Sequence, residues 1–594
     1  MPLAPQAGPD PDTPAWSGRQ RFVILDAGFG SGQRFLATWR RWQADPERPQ
    51  RLHYLAPGAD PAASQVPGMD PELRAAWPPA VPGWHRLTFD GGRVVLDLMF
   101  GAPQLCLAQI EARVDAFYLA DAQLPAPMLA RLAQAGATLV AAAAQAGQLA
   151  GAGFACQAVP GAAQLRAVFT GRQPPAAGPT PAVTAERHAI VIGAGLAGAA
   201  ACARLAARGW RVTLLERHAQ PAQEASGNRA GIFMPQLSQD DNPATRLARA
   251  AFLYALRQWQ ELGGVGSAFA GARCGVLQLA RDAGHARVQR KIAARWHYPP
   301  TFAQWLEADA AGAACAAPAP DGGWLYRQGG WAHPGGVCEA MLDACGARLE
   351  RRFSCAVAAL LRVDGEWQAQ GANGAVLARA PVVILANGGG ATALAQAAGL
   401  PLCAVRGQVT QVAAGTFPAP ALVLCREAYL TPPSDGMVSV GATYDAEGES
   451  MLSAASQQQN LEKIAAMLGQ GPSGPTPLLG RVGFRCVAPD RLPLVGALPD
   501  TARAGQGIER LRDVPRWPGL YGLLGYASRG LIWAPLAAEL LAAQIDGEPL
   551  PLESTLAAAL DPARFLLRQL RREPQHFPRA QPRKTRRTLF PAVG

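Results

Sequence analysis

The chain has 594 residues, 49% hydrophobic and 17% charged, which excludes disorder for most of its length and allows several domains. Its 64 glycines and 52 prolines follow no period, so collagen-like repeats are excluded as well. The formal charge is +11, and with only three lysines (Lys291, Lys463 and Lys584) nearly all of the positive charge is arginine.

The opening segment MPLAPQAGPDPDTPAW lacks the basic start and apolar core of a signal peptide. No stretch reaches the roughly 20 apolar residues of a membrane span, so a cytoplasmic protein without membrane contact is expected. Eleven cysteines at irregular spacings, with no Cys-x-x-Cys pair, point to reduced thiols rather than a metal site or a disulfide framework.

Short apolar runs at 21–26, 51–55, 93–98, 114–119 and 137–142 read as strands, several separated by helix-length segments, so residues 1–170 are expected to form a small Rossmann-like α/β unit. The first run ends in Asp26-Ala-Gly28-Phe-Gly30-Ser-Gly32 and leads into a helix. Glycines alternating past a strand's carboxyl end leave room for a ligand against the backbone. In a small α/β domain this suggests S-adenosylmethionine, with a purely structural turn as the alternative. The proline-rich segment 171–187 then reads as a linker.

Residues 188–570 open with the most informative run, HAIVIGAGLAGAAACARLAARGWRVTLLER. A buried strand meets Gly193-x-Gly195-x-x-Gly198, a helix follows, and a second strand ends at Glu216. Gly193 permits the tight turn, Gly195 lets the backbone approach a pyrophosphate, and Gly198 lets helix and strand pack closely. Glu216 is placed to accept ribose hydroxyls. This spacing suits NAD and FAD equally. The choice falls on FAD because the chain returns to the same pattern much later, in PVVILANGGGATAL with Gly388 and in GYASRGLIWAPL with Gly530. A flavin held along its whole length needs that return. The last residues, 571–594, carry seven basic and one acidic side chain, a composition that fits an anionic partner or a solubilising tail.

Residues 188–570 resemble the D-amino-acid-oxidase superfamily of FAD amine oxidoreductases, in its glycine-oxidase-like branch. The matching pieces are the βαβ unit, EASGNRAGIFMPQ (224–236), GGWAHPGGVCEAM (329–341), VRGQVTQV (405–412), AYLTP, GATYD, GFRCVAPDRLPLVG (483–496) and GYASRGLIWAPL. The resemblance implies FAD-binding parts at about 188–250 and 480–570, with an α+β substrate part at about 250–480. It adds Ser226 and Asn228 to the FAD-binding residues. Arg485 and Arg529 become the candidates for clamping a substrate carboxylate, as arginine does bidentately. Tyr429 is a candidate for shaping the substrate side. The alternative for either arginine is a structural ion pair.

The pairing of the two units resembles the family of bifunctional tRNA wobble-uridine modification proteins that make 5-methylaminomethyl-2-thiouridine. HRLTFDGGRVVLDLMFG (85–101) is the specific N-terminal match. The resemblance implies oxidation of carboxymethylaminomethyl-uridine 34 of tRNA to aminomethyl-uridine with release of glyoxylate, followed by methylation of the new amine. The N-terminal unit departs from the family at three carboxylates. Pro57 and Gly58 stand where an acid holds the cofactor ribose, with Asp60 displaced by two. Ala120 stands in the position of the aspartate beside the reacting amine, with Asp121 one place off, and Ala102 replaces a further acid. A weakened methyltransferase that persists as a scaffold or tRNA-docking surface is therefore expected. The rival readings are a free glycine, sarcosine or D-amino-acid oxidase with a relic N-terminal domain, and a non-catalytic flavoprotein that binds tRNA.

Overall fold

The computed structural model describes residues 16–120, 122–172, 186–418, 420–445, 449–505 and 507–572. Asp121, most of the 171–187 linker and nearly all of the basic tail lie outside the described residues.

The N-terminal unit is an eight-stranded sheet. In spatial order its strands are Gly83–Phe89, Val94–Phe100, Arg51–Pro57, Arg21–Asp26, Val114–Tyr118, Ala133–Ala142, Gln164–Phe169 and Phe154–Ala158. The five apolar runs expected as strands are all present. Strand Arg21–Asp26 pairs in parallel with both Arg51–Pro57 and Val114–Tyr118, so the chain order reverses between its two sides. The crevice at such a reversal, beyond the carboxyl ends of the strands, is where doubly wound sheets take ligands.

The second unit holds a six-stranded sheet in the order Leu349–Arg352, Arg211–Leu215, His188–Ile192, Val382–Leu385, Arg516–Leu524 and Leu494–Pro499. Helices Leu196–Ala206 and Gly530–Asp546 pack on one face, and a three-stranded antiparallel sheet covers the other. Strands Leu349–Arg352 and Val382–Leu385 come from inside the 250–480 stretch, so the substrate part is interleaved with the nucleotide sheet.

The rest of that stretch builds an eight-stranded sheet with the spatial order Gln304–Leu306, Gly323–Tyr326, Val276–Leu279, Val423–Cys425, Tyr429–Leu430, Met437–Gly441, Cys403–Ala413 and Gly480–Val487. Alternation gives it two faces. Leu277, Leu325, Leu424, Leu430 and Val440 pack into a core of its own. Val276, Trp324, Tyr326, Val423 and Cys425 face the nucleotide unit.

A buried ion network joins the two units. Arg86 of the N-terminal sheet binds Asp97 through Nε and Nη2 at 2.8 Å each and donates to Glu539 of the long C-terminal helix at 2.9 Å. Arg208 holds Glu539 at 2.7 Å and Glu548 at 2.8 Å, and Arg51 reaches Glu548 at 3.0 Å.

Candidate active site

The glycine run forms a cradle whose shape depends on missing side chains. Gly193 has φ +103°, and a Cβ there would lie 2.8–2.9 Å from the backbone of Ala386 and Asn387. A Cβ at Gly198 would overlap the carbonyl of Gly193, and one at Gly195 would press on Ser226 Oγ at 3.1 Å. Helix Leu196–Ala206 starts at Gly195 with no side-chain cap, so its first turn presents N–H donors and positive potential. Ser226 Oγ accepts from the Leu196 amide at 3.2 Å. Glu216 is buried at the end of the second strand, one oxygen accepting from the Ala194 amide at 2.7 Å and the other from the His218 amide at 2.9 Å. Each oxygen keeps a second lone pair for a ribose hydroxyl.

The later glycines meet this cradle. A Cβ at Gly530 would touch Leu196 Cδ1 at 3.1 Å, so the N-terminus of the second helix lies against that of the first. Gly388 turns at φ +57° just beyond strand Val382–Leu385. Next to it the buried carboxamide oxygen of Asn387 has no protein partner. Asn228 lies half-buried in the same loop as Ser226. Cradle, acid and orphaned oxygen fit a bound dinucleotide such as FAD.

The substrate side is built on the sheet face turned toward this cradle. In the Cys403–Ala413 and Gly480–Val487 pair, Val405 opposes Arg485 and Gly407 opposes Gly483. The Arg485 guanidinium lies across Gly407, over the space a side chain there would fill. It donates to the carbonyls of Thr443 and Arg406 at 3.2 and 3.3 Å, and the Tyr444 ring centroid is 5.2 Å away. Tyr429 lies in electrostatic range of Arg485, and burial pushes its phenol up to about 12. Cys425 sits directly opposite Tyr429, and its thiol, with the Tyr326 phenol, flanks Arg529. Burial lowers both arginines from the usual guanidinium value.

Among the described residues neither Arg485 nor Arg529 forms an ion pair, unlike the many arginines that do, such as Arg564 with Asp490. The structural ion pair considered for them from sequence is thus absent. Two half-buried cations and a phenol around one sheet face are suited to an anion such as a carboxylate. Sequence reasoning missed Gly407, Tyr444, Cys425, Tyr326 and Asn387. Of these, Gly407 in VRGQVTQV, Tyr444 in GATYD and Asn387 beside the GGG run lay inside motifs that carried a signal, whereas Cys425 and Tyr326 did not.

The N-terminal crevice differs. Asp26 is fully buried and engaged by Tyr54 Oη at 2.6 Å, by the Gly28 amide at 2.9 Å and by Arg34 at 3.1 Å from each carboxylate oxygen. Asp26 pairs in register with Tyr118, and Arg34 lies over the Tyr118 ring at 4.9 Å. Arg34 thus spans the strand ends at the point of reversal. Ala120, at φ +46°, comes within 2.8 Å of where a Gly28 Cβ would be. Gly30 and Gly32 take left-handed turns, and Gly32 faces Leu73 and Phe29. At the end of the second strand Gly58 faces Pro103, while Asp60 accepts from the Ala62 amide in its own turn. Among the described residues the Asp26 carboxylate at this crevice is already engaged by Arg34, and Pro57 and Gly58 end the second strand without a carboxylate.

Residues 188–544 match the DAO family, described as FAD dependent oxidoreductase. Over nearly the whole chain the sequence is similar to tRNA 5-methylaminomethyl-2-thiouridine biosynthesis bifunctional proteins MnmC. The relative from Paraburkholderia phytofirmans is 44% identical and that from Cupriavidus necator 45%, each alignment covering 94% of this chain and 92% of the relative. Among solved structures, glycine oxidase from Geobacillus kaustophilus superposes with a TM-score of 0.52 at 20% identity, covering 64% of this chain and 99% of that one. Iminodiacetate oxidase from Chelativorans sp. BNC1 gives 0.51 at 24% identity, covering 61% and 96%. These two establish the fold of the second unit. Among the described residues no helix is long and apolar enough to cross a membrane, and no cluster of metal-ligating side chains occurs.

Proposed function

Since the chain belongs to the MnmC family, with residues 188–544 a member of the FAD-dependent oxidoreductases, we propose that it oxidises the carboxymethylaminomethyl group of wobble uridine 34 in tRNA to aminomethyl. The observation that carries the reading is the pair of half-buried arginines without an ion-pair partner among the described residues, Arg485 beside Tyr429 and Arg529 beside Cys425. The carboxymethylamino group is a glycine whose nitrogen is tethered to the base, so a carboxylate receptor suits it.

FAD, held by Gly193, Gly195, Gly198, Glu216, Ser226, Asn228, Gly388 and Gly530, supplies the hydride acceptor when bound. Arg485 and Arg529 fix the carboxylate and so aim the adjacent C–H bond at the cradle. The Tyr429 hydroxyl, kept protonated by burial and held among the described residues only by the Ala230 carbonyl at 3.5 Å, is available to donate to the substrate. Loss of a hydride and a proton from the CH–NH unit leaves a C=N bond. Water adds to that carbon, the C–N bond breaks, glyoxylate leaves and the amine stays on the uridine.

The N-terminal unit serves as a fixed scaffold in this reading, because Arg34 pairs with Asp26 at its crevice and buried ion pairs lock it to the oxidoreductase. Methylation is weakened or lost. A tRNA substrate supports a cytoplasmic location.

Nucleoside mass spectrometry tests this. The purified protein is incubated with tRNA carrying carboxymethylaminomethyl-(2-thio)uridine and S-adenosylmethionine. Accumulation of aminomethyl-uridine is expected. Methylaminomethyl-uridine would restore the N-terminal unit as an enzyme. Unchanged tRNA alongside turnover of free glycine or sarcosine would make the protein a small-amine oxidase.

A further inference from the structure

Resting on that tRNA reading, we propose that helix Ala283–Trp296 seats the phosphate backbone of the tRNA beside the active site. Arg287, Lys291 and Arg295 are exposed and four residues apart, so they form one straight stripe with about 6 Å between successive charges. None of the three forms an ion pair among the described residues. Arg290, on the neighbouring flank, is held by Glu307, and Arg295 lies over the Trp296 ring. Like charges four apart destabilise a helix. A stripe of charges left uncompensated is complementary to a polyanion of regular charge spacing.

The position fits the site. Trp324 Nε1 donates to Gln289 of this helix at 2.8 Å, and Trp324 precedes Tyr326 by two residues on the face that carries Cys425 and Tyr429. From the Trp324 strand to the Tyr429 strand is three steps across the sheet, about 14 Å. An anticodon stem whose wobble base enters the site passes over that span. An anionic membrane is a poorer match, because an interfacial helix needs an exposed apolar face and here Ala286 and Ile292 are buried against the protein.

The test compares full-length holoenzyme with the triple variant Arg287→Gln, Lys291→Gln, Arg295→Gln, glutamine being a good helix former. Flavin absorbance confirms folding. With tRNA carrying carboxymethylaminomethyl-uridine, KM should rise about tenfold or more and kcat change by less than about twofold. The slope of log(kcat/KM) against log[salt] should shallow by about 2–3, at roughly 0.7–0.9 for each phosphate that is no longer neutralised. The double variant Arg379→Gln, Arg510→Gln, which neutralises exposed charges elsewhere, should leave KM in place. An unchanged KM and slope in the triple variant overturns the proposal, as does an equal loss in the double variant. Wild-type protein that does not oxidise the tRNA overturns the functional reading instead, before any variant is compared.

Discussion

Gly407 and Arg485 are diagonal neighbours across two antiparallel strands, the guanidinium occupying the space that a side chain at Gly407 would fill. Gly407→Ala should therefore act like a lesion of Arg485 while leaving the flavin cradle untouched. We expect full flavin occupancy and a fall in kcat/KM of about a hundredfold, the scale of a 1 Å misplacement at a reacting centre. Anaerobic stopped-flow reduction of the bound flavin by substrate measures it. Unaltered reduction would mean that Arg485 does not hold the substrate.

This pair also marks the limit of what the residue order conveys. Gly193, Gly195, Gly198 and Glu216 were legible because strand, turn and helix at fixed spacing force their roles within one βαβ unit. Arg485 and Tyr429 were legible only through motif resemblance. Their partners were not, because Gly407 reaches Arg485 through a strand register set 78 residues away, and Cys425 meets Tyr429 across a hairpin. The split of the nucleotide sheet was half visible: PVVILANGGG announced one returning strand, but Leu349–Arg352, half-buried at the sheet edge, had no apolar run to betray it. At Asp26 the candidate ligand residue was visible but its ion-pair partner was not, although Arg34 stood eight residues on in the first turn of the helix.

Glu539 is the hinge pin between the units. Burial alone would raise its carboxyl, but Arg208 and Arg86 outweigh that and hold it well below the usual range. Glu539→Gln leaves two buried guanidinium groups without their shared partner, and a loss of about 3–5 kcal/mol is expected, read as a lower midpoint in urea. Since its folded value is depressed, the stability it contributes is present above the unfolded pKa of about 4.5 and is lost only as pH falls through the far lower folded value. The difference between wild type and variant should thus stay constant from pH 8 to about pH 5.

His85 gives the acid sensitivity that Glu539 does not. Burial pushes its imidazole down to about 3, with Arg257 adding to the shift, while Nε2 donates to the Val81 carbonyl at 2.9 Å. The unfolded chain binds the proton near pH 6.5 and the folded chain refuses it. Stability from this site is present above pH 6.5 and is lost progressively down to about pH 3, at up to about 1.4 kcal/mol per pH unit. His53, also buried and depressed, adds a second contribution of the same sign. His85→Gln keeps a donor toward Val81 and removes the titration, so the fall of the thermal midpoint between pH 6.5 and 5 should flatten. An unchanged slope would place the proton uptake elsewhere.

The Asp26–Arg34 pair at the crevice of the N-terminal unit makes a prediction about a ligand. Titrating the full-length protein with S-adenosylmethionine in a calorimeter should give no saturable heat in the micromolar range. Arg34→Gln should not restore binding, because removing the side chain over Tyr118 still leaves Pro57 and Gly58 where a ribose-holding acid is needed. It should instead lower stability by about 1–3 kcal/mol, since Asp26 stays buried with only the Tyr54 hydroxyl and the Gly28 amide to satisfy it. Micromolar binding by the wild type would show that Arg34 swings clear of the crevice. Binding that appears only in Arg34→Gln would show that this one side chain, and not the missing carboxylates, keeps the site closed.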